Sequence, residues 1–262
     1  MSTLQAGSRL VHCPPVRTGT SIINTGCCGF AGAQTAYYRT FSSIEIDSTF
    51  YRLPKLATAA RWRAAAPPDF LFTLKAWQVI THRASSPTYQ RTNLDAHDQK
   101  HCGHFGFNAT IRWAWDQTYA VAQELGAPVV IFQCPASFSP TTEHIKNLRH
   151  FFEKAKRGKL QLGWEPRGNW DTTTIAALCR ELDLIHVVDP FRTAPASTGK
   201  LQYFRLHGIT GPKHRYSDAE LRQLRDFCRA QPATYCFFNT LSMAQDAQRF
   251  RALTTMARSI SE

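Results

Sequence analysis

The sequence predicts a TIM-type (β/α)8 barrel forming a single domain. Three observations carry that expectation. The chain has 262 residues, close to the ~250 typical of such barrels. Short apolar runs alternate with segments of helical periodicity, the order that builds a parallel sheet covered by helices. Eight runs fit strands without forcing: Ile23–Cys28, Ser43–Asp47, Leu71–Trp77, Val129–Cys134, Gln161–Glu165, Ile185–Asp189, Tyr203–His207 and Tyr235–Asn239.

Helices are expected between most of these runs. They are Thr35–Thr40, Ala57–Ala65, Ile111–Leu125, Thr142–Lys156, Thr172–Leu182, Asp218–Arg229 and Met243–Arg258. Asp171 and Ser217 are N-cap residues, and Ser217 with Glu220 forms a capping box. Gly126 ends the Ile111–Leu125 helix, where a left-handed C-cap is expected. The connection Phe191–Lys200 is too short for a full helix. Residues 1–22 read as an N-terminal extension and 23–262 as the barrel, with a long aperiodic segment at about 79–108 after the third strand. Such a segment is more often functional than idle.

Composition narrows the function classes. No run of about 18 apolar residues is present, so no membrane span is expected. The N-terminus has no apolar signal-peptide region. Eight cysteines occur without a Cys-x-x-Cys pair. Cys134, Cys179, Cys228 and Cys236 lie in apolar patterns and read as core residues of a reducing, cytoplasmic setting, while Cys27 and Cys28 sit together in a glycine-bracketed turn. The 31 Lys and Arg against 19 Asp and Glu give a net charge of +12. A basic surface suits an anionic small molecule or nucleic acid as partner, although the charge is dispersed rather than clustered.

Strand alternation locates a site. Every second strand residue shares a face, and in a barrel the inward face becomes the floor of the active-site mouth at the C-terminal ends. With Ile44 and Ile46 facing helices, Glu45 and Asp47 point inward. The same rule turns Thr73, Lys75 and Trp77 inward, then Gln133, then Glu165 and Arg167. It brings Asp189, Arg205 with His207, and Asn239 to the ends of the last three strands. Burying such charge without partners costs several kcal/mol, so a functional site is one reading and a structural ion-pair plug the other. Glu45, Glu165 and Asp189 are candidate acids, bases or metal ligands, and His207 a proton shuttle or ligand. Lys75 would be a Schiff-base nucleophile if desolvated. Lys75, Arg167 and Arg205 would hold a phosphate, and Tyr51 and Trp77 would stack on a sugar or base. If a divalent cation is bound, its ligands would be Glu45, Glu165, Asp189 and His207. A second cluster, Asp95, His97, Asp98, His101, Cys102 and His104, places His97 and His101 at i, i+4. That spacing offers a zinc site only if helical, and it matches no standard finger; a solvated polar loop is the alternative.

Seven segments together resemble one family. They are TGCCGF (25–30), EIDSTFYRLP (45–54), FTLKAWQVITH (72–82), WEPRGNW (164–170), LIHVVDP (184–190), YFRLHG (203–208) and FFNTLSMAQDA (237–247). In this order they resemble domain-of-unknown-function family 72, the YecE-like TIM barrels, and most of all its archaeal-type members. The resemblance implies a polar pocket holding Glu45, Ser48, Tyr51, Lys75, Glu165, Arg167, Asp189, Arg205, His207 and Asn239. His82, which closes its segment, joins the substrate-binding set with Ser48, Tyr51, Trp77, Arg167, Arg205 and Asn239. The chain departs from the family pattern at Asp47–Ser48 and at Phe238–Asn239. The leading functional expectation is an enzyme acting on an anionic substrate, a phosphate-containing sugar or nucleic acid, as a phosphodiester hydrolase or a sugar isomerase. One alternative is a metal-independent lyase or isomerase, and another is a non-catalytic nucleic-acid-binding protein.

Overall fold

The computed structural model describes residue 10 and residues 21–91, 94–196 and 199–255. Nearly all of the expected N-terminal extension, and the last residues of the expected C-terminal helix, lie outside them. The eight strands are β1 (Ile22–Cys27), β2 (Ser43–Ile46), β3 (Leu71–Lys75), β4 (Val129–Gln133), β5 (Gln161–Glu165), β6 (Leu184–Val188), β7 (Gln202–Leu206) and β8 (Ala233–Phe238). All neighbours pair in parallel, in the order β1-β8-β7-β6-β5-β4-β3-β2. A parallel bridge between Cys28 and Glu45 closes the ring between β1 and β2.

The helices are α1 (Gln34–Thr40), α2 (Leu56–Ala65), α3 (Ala96–Gln99), α4 (Ala109–Leu125), α5 (Thr142–Lys154), α6 (Thr172–Glu181), α7 (Asp218–Arg229) and α8 (Met243–Thr255). The caps are as expected. Asp171 accepts from the Thr174 amide, Ser217 and Glu220 form a complete capping box, and Gly126 sits at φ 62°. The β6–β7 connection has no helix among its described residues. No helix among the described residues is long and apolar enough to cross a membrane.

Alternation produces two apolar layers. Ile44, Ile46, Phe72, Leu74, Val130, Phe132, Leu162, Trp164, Phe204 and Leu206 face the helices. Val129, Ile131, Val187, Tyr203 and Phe237 form a separate inner cluster. Gly163 leaves this inner layer its width: a Cβ there would lie 2.7 Å from Val187 Cγ2 and 3.0 Å from Ile131 Cγ2. Above the inner cluster the residues turn polar, and that change marks the mouth.

The chain departs from the expected periodicity in two places. Regular alternation on β3 stops at Lys75, and Trp77 packs edge-to-face on Trp113 of α4 at 5.2 Å. The second concerns α3, which ends at Gln99, so His101 falls in the following turn and the i, i+4 argument for His97 and His101 fails. The 79–108 segment folds back on itself. The amides of Gly103, His104 and Phe105 donate to the carbonyls of Val79, Thr81 and Ile80, and the Tyr89 hydroxyl donates to the carbonyl of His82.

Candidate active site

The floor of the mouth is organised by Arg205. Its neighbours on β7, Phe204 and Leu206, enter the helix layer, which sends the guanidinium inward. Arg205 is 1% exposed and Glu45, facing it from β2, is fully buried. Arg205 Nε lies 3.0 Å from both carboxylate oxygens of Glu45, and Nη2 donates to Oε1 at 2.9 Å. Nη2 also donates to Asp47 at 3.0 Å, while Nη1 donates to Glu165 at 2.8 Å and to Gln133 at 3.1 Å. Glu45 also accepts from the Tyr203 hydroxyl at 2.8 Å, itself 2.8 Å from Thr73 Oγ1. One planar cation with five donors thus joins three carboxylates from two strand ends, Glu45 and Asp47 at β2 and Glu165 at β5.

A second tier lies nearer solvent. Arg167 donates to Glu165 Oε1 through Nε at 3.0 Å and Nη2 at 2.7 Å. His207 Nε2 is 3.0 Å from Arg167 Nη2, 3.4 Å from Arg205 Nη1 and 3.4 Å from Glu165 Oε1. The Asn239 amide meets His207 Nδ1 at 3.3 Å. On the β2–β3 side, Lys75 Nζ is 3.1 Å from Asp47 and lies over the Phe50 ring at 4.0 Å. Asp47 begins a 3-10 turn, Asp47–Phe50, which aims its carboxylate back over the floor.

These surroundings set the ionisation of the carboxylates. Burial works to raise the Glu165 pKa, but Arg205, the His207 hydrogen bond and Arg167 outweigh it and hold it well below the usual range. Asp47 is likewise lowered, since Lys75 and Arg205 overcome its burial. Burial is also the main influence on Lys75 and, with Arg205 nearby, brings its pKa below the usual lysine value despite Asp47. Burial pushes His82 down to about 3, with the charges of Lys75, His104 and Arg167 adding to the effect.

Glu45, Lys75, Glu165, Arg167, Arg205, His207 and Asn239 therefore come together. Asp189 does another job. Its two oxygens accept the backbone amides of Phe191 and His207, at 3.1 and 2.9 Å, so it clasps the loop after β6 to the residue carrying the imidazole. Burial raises its pKa against the pull of these two hydrogen bonds. Ser48 is exposed and its carbonyl closes the turn to Tyr51 and Arg52. The Tyr51 carbonyl anchors Trp77 Nε1 at 3.3 Å. His82 is buried beside Phe50, with Nδ1 2.8 Å from Thr81 Oγ1. Tyr203 and Phe50 were missing from the expected site. Tyr203 had a readable signal, since it shares the inward face with Arg205 two residues on, whereas Phe50 depends on a 3-10 turn that no periodicity announces.

Glu45, Glu165, Asp189 and His207 do not fit a divalent cation. The Arg205 guanidinium occupies the space between Glu45 and Glu165, and both Asp189 oxygens take backbone N–H groups. Among the described residues no group of three or more His, Cys, Asp or Glu side chains is arranged to hold a metal ion. Two members of the second cluster, His104 and Cys102, have other partners. Arg83 Nε donates to His104 Nδ1 at 3.2 Å, and the Cys102 thiol is turned to the Asp98 carbonyl. Cys27 and Cys28 are buried free thiols, with burial pushing Cys27 up to about 12 and Cys28 well above its usual value.

A family profile described as "Protein of unknown function DUF72" matches residues 33–261. The chain belongs to the DUF72 family. A DUF72 family protein from Enterococcus faecalis V583 superimposes with a TM-score of 0.67 at 19% identity, over 90% of this chain and 98% of that one. One from Thermotoga maritima MSB8 gives 0.62 at 19% identity, over 90% and 100%. Beyond DUF72, an AP endonuclease, family 2, from Brucella melitensis gives 0.56 at 10% identity, over 89% and 98%. At these identities the likeness is one of fold. No protein with a curated description matches the chain.

Proposed function

We propose that this DUF72 barrel is an enzyme that transfers protons at carbon on a small phosphate-bearing sugar, without a resident metal. This is the isomerase or lyase reading. The observation that carries it is the Arg205 guanidinium standing between Glu45 and Glu165, so that it takes up two carboxylates a barrel-mouth cation would need as ligands.

The fold-level likeness to an AP endonuclease supports a barrel-mouth site but carries no chemistry with it. The residues of the outer tier supply the chemistry. Arg167 is 40% exposed, which leaves guanidinium donors free for the substrate's anionic group. His207, 20% exposed, is the acid–base residue. Its Nε2 faces guanidinium donors when unprotonated and the Glu165 carboxylate when protonated, so both states find partners. Asn239 and the Asp189 clasp fix the ring's position.

The test is deuterium uptake from D2O into dihydroxyacetone phosphate, followed by NMR. Wild type should exchange the carbon-bound protons adjacent to the carbonyl well above the buffer rate. His207→Ala should abolish exchange, and Arg167→Ala should raise the substrate concentration needed. No exchange by wild type, or full exchange by His207→Ala, would overturn the reading.

A further inference from the structure

We infer that Lys75 is a covalent catalyst, forming an imine with the carbonyl of the substrate. This rests on the reading above and deepens it, because it names what makes the carbon acidic and restricts the substrate class to aldehydes and ketones.

The geometry has three parts. Lys75 ends β3 facing the mouth, with its side chain 4% exposed, so the amine is sheltered, and Asp47, the carboxylate beside it, is 26% exposed. An ammonium group has three protons to place. Among the described residues Nζ has one carboxylate oxygen within reach, Asp47 Oδ1 at 3.1 Å, and that oxygen also takes Arg205 Nη2 at 3.0 Å. The other neighbour is the Phe50 ring, whose face helps hold a cation but accepts no conventional hydrogen bond. An amine so poorly supplied with acceptors, buried and next to a fixed guanidinium, loses its proton more easily than one at the surface, and burial does lower its pKa.

The third part is the position of the base. Asp47 links Lys75 to Nη2 of Arg205, and Nη1 of the same guanidinium lies 3.4 Å from His207 Nε2. The imidazole therefore meets the buried cation directly and the amine reaches it through Asp47.

The chemistry balances without an added oxidant or reductant. The nitrogen lone pair adds to the carbonyl carbon to give a carbinolamine. Counting from the ammonium form, two N–H protons leave with the carbonyl oxygen as water and the third stays on the cationic imine. His207 Nε2 then takes the α-proton, the C–H pair moves into a C=C bond, and the positive charge on nitrogen is neutralised. Reprotonation and addition of water regenerate the amine.

The test is reductive trapping of the full-length protein by sodium borohydride, with dihydroxyacetone phosphate and with pyruvate as probes. Hydride addition to the imine carbon leaves a stable secondary amine, located by peptide mass mapping. Lys75 should carry the adduct at least about tenfold above any exposed lysine, as a sheltered, less basic amine should, and Lys75→Arg should lose it. Mapping on wild type keeps the result independent of whether the variant folds. Absence of adduct on Lys75 with both probes, or labelling spread evenly over surface lysines, would overturn the proposal. Failure of the proton-transfer reading is a separate outcome: trapping at Lys75 that persists in wild type and in His207→Ala, with no deuterium uptake by either.

Discussion

Arg205 and Glu45 meet side-on at the floor of the barrel, with Nε 3.0 Å from both carboxylate oxygens and Nη2 2.9 Å from one of them. Neither side chain has appreciable access to water. Removing one partner therefore exposes the other as an unpaired buried charge. Arg205→Met should destabilise the fold by about 3–5 kcal/mol in urea denaturation. The double variant Arg205→Met/Glu45→Gln should recover part of that loss, because it removes the stranded charge as well. Arg205→Lys should fail to rescue, since a single ammonium cannot span Glu45, Asp47 and Glu165 together.

Stability should fall toward acid in two stages. His82 is pushed down to about 3 and both His104 and His186 to about 4, in each case chiefly by burial. Unfolded histidines titrate near ~6.5, so below that pH the unfolded chain binds more protons than the folded one. Their stabilisation is complete above ~6.5 and is lost as pH drops through the folded values, with a slope of up to about 1.4 kcal/mol per pH unit for each histidine. Glu165 and Asp47 add a second loss below ~4, because their folded pKa values lie under the unfolded ones. Denaturation midpoints measured from pH 7 to 3 should show both stages, and His82→Phe should flatten the first. A midpoint that does not move between pH 6.5 and 4.5 would contradict the first stage.

The two outer-tier residues His207 and Arg167 should separate kinetically. His207→Ala should lower kcat by about 10²–10⁴-fold with little change in KM, as expected for a group acting on the proton in flight. Arg167→Ala should act mainly on KM. Asp189→Asn should leave the protein folded but lower kcat, because one of two backbone amides loses its acceptor and the His207 main chain shifts.

Much of this arrangement is legible in the sequence, because a barrel strand exposes its logic every second residue. Ile44–Glu45–Ile46 and Phe204–Arg205–Leu206 alone put a carboxylate and a guanidinium on the inner face. The alternation cannot say which charges meet, and so Arg205 read as a phosphate holder when it is the hub of the floor. Nor does it continue past a strand end. Trp77 and Asp189 lie beyond β3 and β6, where turns redirect the chain, one onto α4 and the other onto backbone amides. His104 was legible only as part of a histidine-rich run. Its φ of 52° and its pairing with Arg83 come from the fold-back of the 79–108 segment, a non-local effect.

Gly163 tests the inner packing independently of the charges. A Cβ at this position would press on Val187 and Ile131. Gly163→Ala should cost about 1–3 kcal/mol by overpacking, and Val187→Ala in the same chain should relieve part of it. A neutral Gly163→Ala in thermal unfolding would mean that the inner layer is looser than the distances indicate.

The most direct test of the proposed metal-independent mouth is elemental analysis of untagged protein after dialysis against millimolar Mg2+, Mn2+ and Zn2+ in turn, comparing wild type with Glu45→Gln/Glu165→Gln. With Arg205 seated between the two carboxylates, neither protein should retain a stoichiometric ion and deuterium exchange by wild type should survive EDTA. One ion per chain in wild type, lost from a still-folded double variant, would contradict the central claim.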